Sequence, residues 1–192
     1  MTTPRVVGLD LSLTSTGIAS TGTANGVPYA AVDRITTKPS GDTIRARTAR
    51  LNHIVDAIHG WVAADTDLVV IEGPALASRS PHTHDRSGLW WLVVNRLIAN
   101  DYPVVIVPPS SRAKYATGKG NAAKDAVLAA VVRRYPDIDV TGNDEADALI
   151  LAAMGARSLG HPIEAGGING LPKAHLDAMT KIAWTSTEGL AA

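Results

Sequence analysis

Residues 6–13, Val-Val-Gly-Leu-Asp-Leu-Ser-Leu, set one carboxylate inside an apolar run and close it with the hydroxyl-rich turn Thr14-Ser15-Thr16-Gly17. A strand puts Val7, Leu9, Leu11 and Leu13 on one face and Gly8, Asp10 and Ser12 on the other. An ionised Asp10 in such a strand is costly to bury unless a cation or several donors compensate it. Capping the turn would be reason enough for Asp10 alone. Two further acidic sites in apolar sequence ask for a common explanation. Glu72 ends the run Leu68-Val69-Val70-Ile71, and Asp144 and Asp147 open a helical pattern whose stripe is Ala146, Leu149, Ile150, Ala153 and Met154.

The pattern between these sites is that of an α/β domain. Ile18–Gly22 and Val27–Thr36 have strand character and are joined through Asn25-Gly26, a hairpin turn signal, so three antiparallel strands open the chain. With Thr43 as N-cap, Leu51, Ile54, Val55, Ile58, Trp61 and Val62 recur at helical spacing, leaving Arg45, Arg47 and Arg50 towards solvent. Residues 68–72 suit a central parallel strand reached by that helical crossover, with Glu72 at the end where open α/β sheets hold their ligands. Ala75 to Ser87 has the composition of a polar loop. It carries Arg79 and Arg86 as candidate phosphate contacts and His82 and His84 as a pair better explained by exposure than by metal. Leu89 to Asn100 is an apolar helix containing Trp90 and Trp91, and Val104–Val107 is a second buried parallel strand.

The segment Lys114-Tyr-Ala-Thr-Gly118-Lys119-Gly120-Asn-Ala-Ala-Lys124 leads into a helix with Val127, Leu128, Val131 and Tyr135 towards the core. Glycines at a helix entrance let backbone donors approach a phosphate, and the three lysines supply charge. The spacing is not that of a Walker A loop. Solvated lysines on a glycine turn are the plainer alternative. Asn143 is the expected N-cap of the last core helix. Asp144 and Asp147 share a face at the edge of its apolar stripe, while Glu145 is rotated about 100° away, towards solvent.

Composition removes several function classes. The chain of 192 residues has no Cys, which excludes disulfides, thiolate metal sites and thiol catalysis and suits a reducing, cytoplasmic setting. No apolar run is long enough for a membrane span, and no signal pattern is expected at the N-terminus. The formal net charge is zero, so binding to a polyanion requires a local basic patch. Four carboxylates drawn together raise one another's pKa unless cations neutralise them. All-oxygen ligands favour Mg²⁺ or Mn²⁺, and a pair of such ions about 3.5–4 Å apart suits in-line phosphodiester hydrolysis.

On these residues the chain resembles the RuvC-type Holliday junction resolvases of the RNase H-like superfamily, their phage-encoded branch in particular. The resemblance covers about residues 5–157. It is carried by Gly8-Leu9-Asp10 with Thr16-Gly17, Val70-Ile71-Glu72, Asp144-x-x-Asp147-Ala148-Leu149, and Gly118-x-Gly120 followed by Lys124. It implies an RNase H-like fold with a mixed five-stranded sheet flanked by helices. Residues 1–157 would be the nuclease domain; the tail 158–192 has no counterpart in the family and reads from its own residues, Gly160, Gly166, Gly167 and Gly170 and then an amphipathic Leu171–Trp184, as a flexible linker and a C-terminal helix. Asp10, Glu72, Asp144 and Asp147 would be the catalytic acids holding two Mg²⁺ or Mn²⁺ ions, with Lys124 and Lys114 facing DNA. Lys119, Arg79, Arg86 and Ser12 complete the candidate DNA contacts. The implied partners are a four-way junction and a second copy of the chain, with Leu89 to Asn100 as the candidate dimer surface. The setting would be cytoplasmic, in a bacterial host if phage-encoded. The chain departs from the family after Glu72, where Gly-Pro-Ala-Leu lacks the aromatic many members insert at the junction, and Lys114 falls one residue nearer the glycine turn.

Other readings stay open on the sequence. A flap or fork nuclease of the same fold has the same acids. The actin and sugar-kinase ATPases share an Asp followed by small and hydroxyl residues, but need a second such hairpin and a glycine-rich adenosine motif. A catalytically silent DNA-binding module needs none of the four acids.

Overall fold

The computed structural model describes residues 3–24, 27–39, 41–74 and 83–184. Strands β1 (Arg5–Asp10), β2 (Ser15–Ala24) and β3 (Val27–Thr36) form the expected antiparallel meander. Its Asn25-Gly26 turn lies outside the described residues. Helix α1 (Ile44–Trp61) leads to β4 (Thr66–Glu72), and α2 (Thr83–Ile98) to β5 (Val104–Val107). The sheet order is β3-β2-β1-β4-β5, with β1, β4 and β5 mutually parallel. Three helices follow, α3 (Pro109–Thr117), α4 (Lys124–Arg134) and α5 (Asn143–Ser158), and after a short 3-10 turn the four-residue α6 (Lys173–Leu176).

Side-chain alternation along β1 and β4 divides the core into two layers. Val7, Leu9, Val69 and Ile71 meet Ile54 and Ile58 of α1 and Leu89, Val93 and Leu97 of α2. Val6, Leu68 and Val70 face α5, with Tyr115 of α3 and Val127 and Val131 of α4 behind it. Each fully buried Leu or Ile here contributes about 1.5–3 kcal/mol.

Helix α5 goes deeper than a one-sided amphipathic helix, because every residue from Glu145 to Arg157 is buried. Two glycines allow this. A Cβ on Gly8 of β1 would collide with the carbonyl of Ala148, and one on Gly17 of β2 with the carbonyl of Asp144. The helix therefore lies directly on the backbone of the sheet.

Four expectations need correction. Strand β1 ends at Asp10 rather than Leu13, because Ser12 and Thr16 close the turn. The Ser12 N–H donates to Thr16 Oγ1 at 3.1 Å, and the Thr16 hydroxyl donates to the Ser12 carbonyl at 2.7 Å. Arg50 is not a solvated arginine: it donates to the Leu13 carbonyl at 2.5 Å and to Thr37 Oγ1 at 2.9 Å, pinning that turn. The polar stretch expected as loop is helical from Thr83, with Asp85 in the first turn of α2, where its charge favours the dipole, and within 2.9 Å of Arg47 Nε. The rest of that stretch, including Arg79 and His82, lies outside the described residues. Finally, the glycine-rich segment after α5, expected as a flexible linker, packs on the domain. Leu171, Ala178 and Ile182 are buried there, and Glu164 pairs with Arg157 at 2.9 Å in a buried cluster completed by Tyr115 and Tyr135.

Candidate active site

Parallel pairing sets Leu9 opposite Ile71, so Asp10 and Glu72, the next residues, emerge side by side at the C-terminal edge of the sheet. Two further contacts hold the end of β4. Glu72 pairs in register with Val107, and the indole N–H of Trp90 donates to the Glu72 carbonyl at 3.0 Å. The close approach at Gly17 brings the N-terminus of α5 down to this edge, with Asp144 and Asp147 on its first turns. Asp10, Ser12, Glu72, Asp144, Arg112 and Lys124 line one cleft, and Asp147 lies behind it, 2% exposed. The four acids singled out from the sequence are thus gathered at one place.

Arg112, which the sequence reading passed over, ties the acids together. Its Nε donates to Glu72 Oε1 at 2.7 Å, and its Nη1 donates to Asp147 Oδ1. The guanidinium is 8% exposed, and burying it without these carboxylates would cost several kcal/mol, on the order of 3–5. Signals for α3 were present in the sequence. Pro109 occupies the first turn, where its missing N–H is harmless, and Gly118 closes the helix with φ 80°. The same geometry turns Arg112 and Tyr115 inwards.

The electrostatics follow from crowding. Burial raises the Asp10 carboxyl well above its usual range, the charges of Glu72 and Asp147 raise it further, and Arg112 opposes them. Burial likewise lifts Asp147 to about 6 against the pull of Arg112. A set of carboxylate oxygens with protons held this way suits a hard divalent cation. Asp147 Oδ2 is buried without a hydrogen-bond partner, an acceptor that a cation would satisfy. As the side chains stand, however, no three acids among the described residues converge closely enough to enclose an ion. Arg112 lies between two of them.

Of the candidate DNA contacts, Ser12, Arg86 and Lys124 line this cleft. Lys124 is the first residue of α4, and its charge acts on Asp147. Lys119 is exposed and lines a separate basic groove with Arg133, Arg134 and His175. Lys114 is in neither lining, and its charge acts on Asp177 instead. Arg79 lies outside the described residues.

Glu145 is a correction. Expected in solvent, it is 6% exposed and reaches back over the helix start, accepting from the N–H groups of Thr141 at 2.5 Å and Gly142 at 3.1 Å. Arg34 of β3 pairs with it at 3.0 Å. The N-cap is Gly142, one residue before the expected Asn143, and having no side chain it leaves the capping to Glu145. Of the two adjacent tryptophans, Trp90 is core and Trp91 is 64% exposed.

No protein-family model matches the sequence, and no curated protein matches it. Solved structures share its fold at low identity. The structure described as "Thermus thermophilus RuvC structure" aligns over 84% of this chain and 99% of its own, with TM-score 0.59 and 17% identity. The same organism's RuvC in complex with a Holliday junction substrate gives 0.58 and 15% over 84% and 99%. The Fowlpox virus resolvase with substrate Holliday junction DNA gives 0.52 and 12% over 81% and 98%. The fold is therefore the RNase H-like mixed five-stranded sheet flanked by helices.

Proposed function

We propose that this chain is a metal-dependent endodeoxyribonuclease that resolves four-way DNA junctions. The observation carrying this reading is the meeting of Asp10, Glu72 and Asp144 at one sheet edge, lining a cleft with Lys124 and Arg86, with Asp147 buried directly behind it. The neighbours that share the fold over nearly their whole length include two structures with Holliday junction DNA, which supports branched DNA as the substrate class.

In this reading the four acids hold two Mg²⁺ or Mn²⁺ ions. When bound, these supply an activated water and charge stabilisation at the leaving oxygen. The protein's own part is positional. Asp10 and Glu72 are fixed by the register of two parallel strands. Asp144 and Asp147 are fixed by a helix seated on the sheet backbone. Lys124 offers its charge to a phosphate at the cleft mouth, with Arg86 and Ser12 beside it.

Resolution requires two symmetry-related cuts, and the described chain carries one acid cluster, so the active species is a homodimer. Its interface is the outer face of α2, where Trp91 and Ile98 lie seven positions apart on one helical line. They are 64% and 59% exposed, with Leu92 alongside at 40%.

The deciding experiment is incubation of an end-labelled four-way junction and the matching linear duplex with Mg²⁺, Mn²⁺ or chelator. Paired nicks on the junction alone, dependent on the ion, are expected. No cleavage with either ion, or equal cleavage of the duplex, would overturn the reading.

A further inference from the structure

We propose that Arg112 is a resident cation of the carboxylate site, which the divalent ions must displace, so that metal loading moves this guanidinium out of its place between Glu72 and Asp147. The inference deepens the nuclease reading and rests on it for the identity of the ion.

Three observations on Arg112 and its partners combine here. First, it spans the site from one wall to the other: Nε bonds Glu72 on the sheet at 2.7 Å while Nη1 bonds Asp147 on α5. Secondly, both partner carboxylates are largely buried, 15% and 2% exposed, so the pair needs a nearby positive charge whether or not an ion is present. Thirdly, with Arg112 there, no three acids among the described residues enclose an ion, although Asp147 Oδ2 stands buried and unpartnered.

Arginine cannot relieve the conflict by losing its proton, as a lysine or histidine could. A doubly charged ion bonded to the same carboxylates therefore meets a fixed positive charge at close range, in a place where solvent screens little. The guanidinium has to leave at least one of its partners. Arg112 itself lines the open cleft with Lys124 and Arg86, so its outward rotamers lead to the side from which a phosphate would arrive. A planar fork released there is suited to bidentate phosphate binding. Arg112 is thus a positioning residue without metal and a substrate contact with it.

The test reads metal binding rather than cleavage. Titration calorimetry with Mn²⁺ on Arg112→Met is expected to show affinity about tenfold tighter than wild type, together with a lower melting temperature in chelator. Unchanged or weaker Mn²⁺ affinity in a folded Arg112→Met would overturn the proposal.

A second measurement needs no variant. In wild-type protein with ¹⁵N-arginine, the Nε–H signal of Arg112 should be slow to exchange with water in chelator and should shift and exchange faster on adding Mg²⁺. Arg157, whose Nε donates to Tyr115 at 2.8 Å away from the acids, is the internal control and should stay protected. An Arg112 signal unmoved at saturating Mg²⁺ would overturn the displacement. Failure of the junction assay with this displacement intact would instead count against the nuclease reading alone.

Discussion

Asp10 and Glu72 stand one position beyond the paired Leu9 and Ile71 on adjacent parallel strands, so the charge of Glu72 adds to burial in raising the Asp10 carboxyl. Asp147 adds a further charge behind them, and its own carboxyl is raised as well. Strand register thus creates both the site and its electrostatic tension.

The tension has a measurable sign. The Asp147 pKa is raised from 3.8 to about 6, so between these values the folded chain holds a proton that the unfolded chain has lost. Stability in chelator therefore falls as pH rises through that window, by at most about 3 kcal/mol from this residue. Melting curves from pH 4 to 8 should be flatter for Asp147→Asn than for wild type. An equally steep fall in the variant would show that Asp147 is not the source. Protons must also leave as an ion enters, so Mg²⁺ affinity should climb from pH 5.5 to 8, with proton release seen by calorimetry in buffers of different ionisation enthalpy.

Asp10→Asn, Glu72→Gln, Asp144→Asn and Asp147→Asn should each lower junction cleavage by about 100-fold or more, since each removes a charged oxygen donor. Asp10→Asn should also leave stability in chelator level or higher, because it relieves repulsion without unpairing Arg112. Glu145→Gln should do the opposite. Its carboxylate caps α5 and pairs with Arg34, so the variant should lose about 1–2 kcal/mol of stability but cleave normally when folded. Loss of cleavage in a fully folded Glu145→Gln would move this residue into the active site.

Lys124 and Lys119 separate the cleft from the neighbouring groove. If each meets one phosphate, each Ala variant should flatten the slope of log affinity against log salt by about 0.9 on a junction. Only Lys124→Ala should also slow cleavage at saturating DNA, because only Lys124 lines the acid cleft. Slopes unchanged in both variants would leave the lysines as surface charge.

Trp91→Glu should turn a dimer into a monomer in sedimentation at micromolar concentration while leaving the fold intact, because this side chain is exposed and the adjacent Trp90 supplies the core contact. A wild-type chain that sediments as a monomer with and without junction DNA would remove paired incision and favour a single-nick, branch-selective enzyme.

The acids were legible in the sequence because each breaks an apolar pattern that burial enforces on its neighbours. Asp10 interrupts one strand, Glu72 terminates another, and Asp144 and Asp147 share the edge of a helical stripe. Arg112 was invisible for the converse reason. A lone arginine among serines and alanines has the composition of surface, and only the tertiary placement of α3 makes it a bridge. Its helix could have been found from Pro109 and Gly118. Glu145 misled because the 100° rotation rule describes a helix with one wet face, and α5 has none over its length. Arg50 misled similarly, since the carbonyl it caps lies 37 positions away in the chain.

Gly8 and Gly17 carry a further consequence. By seating α5 on the backbone of β1 and β2, they join the helix bearing Asp144 and Asp147 to the central strand bearing Asp10 in a single cooperative unit. Exchange of that helix's central amide hydrogens is then expected to follow global opening rather than local fraying. Heat should therefore not silence this site ahead of the fold: loss of cleavage and loss of structure should follow one curve.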